Sequence, residues 1–524
     1  MEKIFFIVLI AIMAGSCSKK LDRLPKNDVT AGQVYSTPQG YIEAAAKVYG
    51  AFALTGNKGP AGDADVKGID EGTSDFLRLF WCAQELSTDE AVVTWGDAGL
   101  QDFHNMNWSS SNPFLTGLYY RSMYQITLAN DFIRHAGDAE LASKGITGAE
   151  AANIVHFRNE ARFLRAYQYW VLLDVFGNPP FVTEDYVIGS TTLPEQIGKE
   201  KLYAYIESEL KDLENLLPDP IAENYGRANK TAAQALLARL YLNAASYTGT
   251  ANYNDAVAYS KKVIGGSFGL IGDYRNLMRA DNDKNKTEFI LTINYDGNYT
   301  QNYGGTTFLT HAPVGGSMKA SDFGIGGGWA GLRTTKGLVS LFPDISGNTD
   351  KRAQFWTDGQ SLDISDMSKF DQGYGITKFK NIKIGSTNSA GSSFDYADVD
   401  FPIFRLAEQY LIYAEAVLRG GTGGDAVTAL GYINQLRTRA GASVISAAQL
   451  TTNFILDERG RELYWEGFRR TDLIRYKRFT TGDYVWPWKG GASAGKAVED
   501  WRNIYPIPSV DKNANPNLQQ NPNY

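Results

Sequence analysis

What most constrains this chain is a split in its hydrophobic pattern, with two groups of helix-period segments standing either side of a long stretch that has no helical period. In the first group Phe163, Ala166, Trp170 and Leu173 share one face between Phe157 and Val175, and Gly177, Pro179 and Pro180 stop the run. Lys201 to Leu217 repeats the pattern and ends at Pro218. Thr231 to Ala245 carries Leu236, Leu237, Leu240 and Ala244 on one stripe, while Ala232, Ala235 and Ala238 let a neighbouring helix approach closely. Tyr253 to Ile264 follows after a short Tyr-Thr-Gly-Thr connection. Helix, short turn, helix is the unit of a tetratricopeptide-type array. The second group starts with Leu406, Tyr410, Tyr413, Ala414 and Val417 on one face before Gly420 and Gly421, and continues through Asp425 to Arg439 and Asn453 to Phe479. The expected fold is mostly α: a helical-pair scaffold mainly over 115–264 and 403–479, carrying an irregular loop and short-strand region over about 56–110 and 265–400.

The intervening stretch, Gly265 to Asp400, is rich in Gly, Asn, Ser, Thr and Tyr, with short strand-like runs such as Phe289 to Ile293. Loops laid over a rigid scaffold are where binding chemistry is expected. The chain holds 30 Tyr, 26 Phe and 10 Trp, and such rings serve cores as well as sugar and peptide surfaces. A formal net charge of −7 with scattered Lys and Arg argues against a nucleic-acid partner.

The opening MEKIFFIVLIAIMAGSC has the order of a secretory signal peptide: Lys3, an apolar run from Ile4 to Ala14, then Gly15 and Ser16. As a helix that run reaches only about 16 Å, roughly half a bilayer's hydrocarbon core. It ends on Cys17, whose thiol is a candidate lipid attachment site, so that residues 1–16 are a lipoprotein signal and 17–524 the mature chain. The alternative is a simple signal peptide with a chance cysteine. With Cys17 lipidated, Cys82 has no partner, and neither a disulfide framework nor a cysteine metal site can be drawn.

Catalytic motifs mostly fail. His104, His135, His156 and His311 lie far apart and lack metalloprotease spacing. Gly491-Ala-Ser-Ala-Gly495 matches a nucleophile elbow without its strand and helix, and Gly326-x-Gly328-x-x-Gly331 matches a dinucleotide fingerprint with Trp329 inside it and no parallel strand before it. Asp281, Asp283 and Asn285 open like a calcium loop, but Lys286 and Thr292 stand where an EF-hand needs Gly and Glu. A simpler Ca²⁺ site formed by Asp281 and Asp283 with Asp398 and Asp400 remains open, beside the plainer reading of solvated loop carboxylates. No carboxylate pair is singled out for glycoside hydrolysis.

Several segments together resemble the SusD/RagB family. They are Arg158-Asn-Glu-Ala-Arg-Phe-Leu-Arg-Ala-Tyr-Gln-Tyr-Trp170 running on to Pro180, Phe404-Arg-Leu-Ala-Glu-Gln-Tyr-Leu-Ile-Tyr-Ala-Glu415, Glu458-Arg-Gly-Arg-Glu-Leu-Tyr-Trp-Glu-Gly-Phe-Arg-Arg-Thr-Asp472, and Tyr505-Pro-Ile-Pro508 with the Asn-rich tail to Tyr524. In family order, with the lipoprotein start, they cover nearly the whole mature chain. Read physically, Arg158, Glu160, Arg162 and Arg165 form the polar side of a helix, Glu458 is within i, i+3 reach of Arg461, and Trp170 and Trp465 belong to the core.

The resemblance implies a non-catalytic, lipid-anchored protein of the Gram-negative outer membrane, facing the cell exterior. It implies binding of a nutrient glycan outside the cell and work with a SusC-type TonB-dependent transporter. Gly59-Pro-Ala-Gly62, Asp70-Glu-Gly72, Glu85-Leu-Ser-Thr-Asp-Glu90 and Asn302-Tyr-Gly-Gly305 are similar to segments of the family's starch-binding member, which implies an α-glucan ligand such as starch or malto-oligosaccharides. An aromatic arc would then fall on Trp95, Tyr303 and Trp329, with Arg78 as a hydrogen-bonding partner and Asp97 accepting a sugar hydroxyl where the family has an asparagine. Glycines beside each ring would leave its face free for a pyranose, whose C–H patches lie flat on an aromatic ring. Another oligosaccharide or a peptide is the alternative ligand within the family; an exported glycoside hydrolase is the alternative outside it.

Overall fold

The structure is a computed structural model describing residues 30–524 apart from 187–188. Cys17 and the apolar leader lie outside the described residues. Several of the helices that build the scaffold start where their sequence supplies a cap. α1 (Pro38–Ala53) has Thr37 accepting the Gly40 N–H at 3.2 Å and proline in its first turn. α2 (Phe76–Glu85) begins on the Asp75 carboxylate, and α3 (Pro113–His135) on Asn112, whose Oδ1 takes the Phe114 and Leu115 N–H groups. α4 (Gly148–Phe176) runs until Gly177, at φ 76°, turns the chain out. α5 (Lys199–Leu216), α6 (Lys230–Leu242) and α7 (Tyr253–Ile264) follow. Beyond the loops come the short α8 (Gly305–His311), then α9 (Leu406–Leu418), α10 (Ala426–Ala440), α11 (Thr452–Leu463) and α12 (Arg469–Arg475).

Neighbours in this list pack in order: α3 on α4, α4 on α5, α5 on α6, α6 on α7. The next step skips the loops, because α7 packs directly on α9 and α9 on α10. The two helical groups are therefore one stack, and the segment between them is an insertion between consecutive layers. Among the described residues, four two-stranded ladders hold the irregular parts: β1 (Gly56–Lys58) with β2 (Gly62–Ala64), β3 (Val92–Val93) with β5 (Leu332–Arg333), β4 (Phe289–Ile293) with β8 (Phe401–Arg405), and β6 (Phe355–Trp356) with β7 (Gly375–Ile376). The wholly buried β4 and β8 pair antiparallel, Phe289 opposite Arg405 and Ile293 opposite Phe401, so the insertion leaves and re-enters the scaffold through one closed neck. The mostly helical fold and tetratricopeptide-like stacking match the sequence reading. Three of these helices do not: α1 precedes the expected scaffold, and α2 and α8 lie inside the stretches read as loop. All ten residues of α2 are buried, so it shows no solvent-facing stripe to mark it.

Trp170 and Trp465 are core residues, 2 % and 0 % exposed. Around Trp465 the single helix expected over Asn453 to Phe479 breaks into α11 and α12. Trp465 and Gly467 adopt φ 64° and 83°, and their N–H groups donate to Glu90 Oε2 at 2.9 Å and Glu85 Oε1 at 2.6 Å instead of to a helical turn. Next to this break lies a buried ionic web. Arg405 contacts Glu288 at 2.9 Å, Glu462 at 2.7 Å and Glu466 at 2.6 Å, while Arg352 contacts Glu458 at 2.8 Å, and Arg439 bridges Glu288 and Glu462. Burial alone would raise the Glu462 carboxyl, yet Arg439, Arg405 and Arg352 hold it down at about 2. The expected Glu458–Arg461 pair closes at 2.7 Å within this web. Arg165 and Glu160, expected on a polar face, are buried too, each paired with charges from neighbouring segments.

Candidate functional site

Three rings that lie far apart in the sequence meet. β3 and β5 pair Val93 with Leu332, and the zipper runs on past the strands: Thr94 N–H donates to Gly331 O at 2.9 Å and Thr94 Oγ1 to Ala330 O at 2.8 Å. Trp95 Nε1 then donates to Trp329 O at 3.3 Å. The two indoles lie 6.3 Å apart between centroids, tilted by 47°. Tyr303 stands 6.3 Å beyond Trp329 at 66°. Trp95 and Trp329 are half-buried against the core, and Tyr303 is 39 % exposed.

Why the chain folds this way locally is clear from its glycines, and the reason differs from the expected one. A Cβ on Gly331 would lie 2.2 Å from Trp95 Cζ2, so the indole rests directly on that backbone. A Cβ on Gly328 would meet Val314 O at 2.1 Å, and one on Gly304 would meet the Asp75 side chain at 2.3 Å. These glycines permit close backbone approach and do not merely clear space around a ring. The segment 329–332 is hung from the end of α8, with Trp329 N–H donating to His311 O at 2.9 Å and Gly331 N–H to Ala312 O at 2.8 Å. The His311 ring lies 5.0 Å from the Trp329 ring at 31°. Burial holds the His311 pKa below the ordinary imidazole value, so a neutral ring backs the indole. Tyr303 is anchored by buried Asn302, which donates to Ala53 O and accepts the Gly304 N–H, and by Asp75 Oδ1, which accepts both the Gly305 N–H at 2.7 Å and the Arg78 N–H at 2.8 Å.

Arg78, expected as a hydrogen-bonding partner of the glycan, lies under the row with most of its side chain covered. It is 8 % exposed, and its Nη1 donates to Gly72 O and Tyr303 O, both at 3.1 Å. Its guanidinium centre sits 5.6 Å from the Trp95 ring and 4.7 Å from that of Phe308. Arg78 thus braces the row from beneath, by cation–π contact and by holding the Tyr303 backbone. Asp97 is exposed on the loop after Trp95. Sequence reasoning missed Tyr396, whose ring lies 6.0 Å beyond Tyr303 at 43°. It sits in Ser-Ser-Phe-Asp-Tyr, a context with no periodicity to single it out.

The four aspartates do not assemble as a cation site. Asp281 Oδ1 accepts the Ile384 N–H at 2.6 Å, and Asp398 accepts the Gly297 N–H at 2.7 Å with the Ser392 N–H and hydroxyl at 2.6 Å. Asp400 accepts the Tyr295 N–H at 2.8 Å and the Tyr225 hydroxyl at 2.9 Å, while Asp283 is exposed. Among the described residues no group of three or more His, Cys, Asp or Glu side chains is placed to hold a metal ion. Asp281, Asp398 and Asp400 staple loop backbone instead. Cys82 is a free, buried thiol whose pKa burial pushes up to about 12.

Two family models match the chain: one described as the SusD family over residues 350–524, the other as starch-binding associating with outer membrane over residues 82–242. The "Starch-binding protein SusD" of Bacteroides thetaiotaomicron is 35% identical across 100% of this chain and 99% of its own length. The chain belongs to the SusD family. Among solved SusD-like structures, the "Surface glycan-binding protein A" of Bacteroides thetaiotaomicron in complex with laminarihexaose aligns with a TM-score of 0.69 at 21% identity, covering 92% of this chain and 99% of that one. A "Laminarin binding SusD-like protein" aligns at 0.69 and 22%, covering 93% and 99%. These two share the fold of the SusD-family chain. The relatives are named for what they bind, and the family consists of binding proteins and not enzymes. Among the described residues no helix is long and apolar enough to cross a membrane.

Proposed function

We propose that this SusD-family protein captures starch-type α-glucans at the cell surface without catalysis. In this reading residues 17–524 form one unit, held in the outer membrane by lipid on Cys17 with its aromatic row outward, and the glycan is handed to a SusC-type TonB-dependent transporter. The observation that carries it is the row itself: Trp95, Trp329 and Tyr303, far apart in sequence, stand ring after ring at 6.3 Å with successive tilts of 47° and 66°. A flat ligand would want coplanar rings. A row that turns at each step suits a polymer that coils, stacking the C–H face of one pyranose after another. Full-length similarity to a protein named for starch binding supports the same ligand class. Asp97, beside the row, supplies a hydroxyl acceptor.

A second ligand, a β-glucan, draws support from the solved neighbours named for laminarin or laminarihexaose, although at 21% and 22% identity they share only the fold. Affinity electrophoresis on amylopectin and on laminarin, with calorimetry on maltoheptaose and laminarihexaose, separates the two. Retention by amylopectin with no release of reducing sugar is the expected outcome. Trp329→Ala and Trp95→Ala are expected to abolish that retention while the melting temperature stays within about 2 °C, since neither ring is fully buried. Steady product formation, or retention that survives both substitutions, would refute the reading.

A further inference from the structure

The aromatic row does not end at Tyr303. The centroid spacing continues from 6.3 Å and 6.3 Å to 6.0 Å at Tyr396, and the tilts run 47°, 66° and 43°. Tyr396 is half-exposed like Trp95 and Trp329, so the step adds a platform at the surface and not a core contact. We propose that Tyr396 is a fourth sugar platform, making this a site for a glycan long enough to run from Trp95 to Tyr396. The proposal rests on the glycan-binding reading above and extends it to chain length.

A platform must be held still before the ligand arrives, because ordering a loop on binding subtracts from affinity. The loop bearing Tyr396 is fixed in three ways. Asn381, fully buried, donates through Nδ2 to Ser393 O at 2.8 Å and Gly324 O at 3.1 Å and accepts the Asp398 N–H at 3.0 Å. Asp398 in turn accepts the Gly297 N–H, which ties this loop to the one bearing Tyr303; a Cβ on Gly297 would meet Tyr396 O at 2.4 Å. The Ala397 N–H donates to Thr307 Oγ1 at 3.0 Å, on the same α8 that suspends Trp329. All the rings therefore take their position from one short helix: Tyr303 just before it, Phe308 under Trp95 at 6.2 Å, His311 behind Trp329, and Thr307 holding the Tyr396 loop.

The phenols of Tyr303 and Tyr396 also make this end of the row polar, where the Trp95 end is indole. Partial burial and the neighbouring Tyr303 hydroxyl push the Tyr396 phenol up to about 12, so it stays a neutral donor and acceptor in ordinary media. A sugar over Tyr396 would meet hydroxyl groups as well as a ring face.

The test is calorimetry of wild type, Tyr396→Ala, Tyr396→Phe and Trp329→Ala against maltotriose and maltoheptaose, and against laminaritriose and laminarihexaose, with melting curves alongside. For the series that wild type binds, Tyr396→Ala should weaken the long oligosaccharide about tenfold and the trisaccharide less than about threefold, which narrows the wild-type preference for length. Tyr396→Phe, which keeps the ring, should stay within about threefold of wild type on both. If Tyr396→Ala binds every ligand like wild type while Trp329→Ala does not bind, the fourth platform is refuted and the glycan reading stands. If Tyr396→Ala lowers the melting temperature by as much as a core truncation, the ring is packing and the proposal is wrong. If wild type binds neither series, both readings fall together.

Discussion

The ionic web beside α11 and the aromatic row beside α8 solve opposite problems with opposite means. In the web, charges are buried and completed: Arg405 spans Glu288, Glu462 and Glu466, each of these side chains 1 % exposed or less. In the row, apolar rings are left partly exposed and uncompleted, while the polar groups beneath them, Asp75, Asn302 and Asn381, are spent on backbone. The web joins the neck strand β8, α10, α11 and, through Arg352, the insertion, so it fixes the insertion to the scaffold. The row lies on what is thereby fixed. The lesson is one of division: stability is concentrated where no ligand reaches, and surface that would otherwise be covered is left open where the backbone is held tightly from below.

The comparison breaks most violently if the web is cut. Arg405→Met leaves Glu288, Glu462 and Glu466 buried with fewer cationic partners, and breaking a buried pair by removing one member costs about 3–5 kcal/mol. The expected outcome is the largest stability loss of any single change considered, read as a lowered midpoint in urea, with poor yield of folded protein. A loss below about 1 kcal/mol would mean that the web is no more than a surface-type decoration.

How much of this was legible beforehand follows from where the signals live. α5, α6, α7, α9 and α10 match the sequence reading to within three residues at either end, because each buries one face and the period shows. α2 did not show, because its Arg78, Gln84 and Glu85 are buried alongside its apolar residues. The break at Trp465 was hidden for another reason: the carboxylates that capture its N–H groups, Glu85 and Glu90, come from segments more than 370 positions away. Trp95, Tyr303 and Trp329 were reachable through family resemblance, but the meaning of their glycines was not, since only the folded chain shows Gly331 lying under Trp95. Likewise nothing in a loop sequence tells a carboxylate that binds a cation from one, such as Asp398, that staples backbone.

A milder break targets the row from behind. Gly331 has no positive φ, so alanine is sterically acceptable to its backbone, but the new Cβ would fall 2.2 Å from Trp95 Cζ2. The indole must swing away from Trp329. Gly331→Ala is expected to weaken maltoheptaose binding about tenfold, or about 1.4 kcal/mol, with a smaller effect on the urea midpoint than Arg405→Met and a shifted tryptophan emission spectrum. Unchanged affinity together with a changed spectrum would show that the pose of Trp95 does not matter to the site.

The smallest effect sharpens the comparison at the seam between the two regions, where Asp400 opens β8 and reaches toward the loops. Glu462 and Asp400 are both buried carboxylates, but three arginines hold the first at about 2, whereas burial pushes the second up to about 7 and the Tyr295 N–H and Tyr225 hydroxyl only partly offset it. Their contributions to stability run oppositely with pH. The Glu462 contribution is full above the ordinary carboxylate range and is lost as pH falls toward 2. The Asp400 contribution is full below the ordinary value of 3.8 and is lost as pH rises through about 7, because the folded state then holds a proton that the unfolded chain has released. Within that window the loss cannot exceed about 1.4 kcal/mol per pH unit. Asp400→Asn removes the ionisation while keeping an acceptor for the Tyr295 N–H, and its amide can donate to the Tyr225 oxygen. Measured against wild type, the variant should gain in relative melting temperature from pH 5 to pH 8, whereas Glu462→Gln should lose at every pH in that range. Parallel Asp400→Asn and wild-type curves would place the Asp400 carboxylate in contact with water, and the seam would then behave like the loop surface and not like the scaffold.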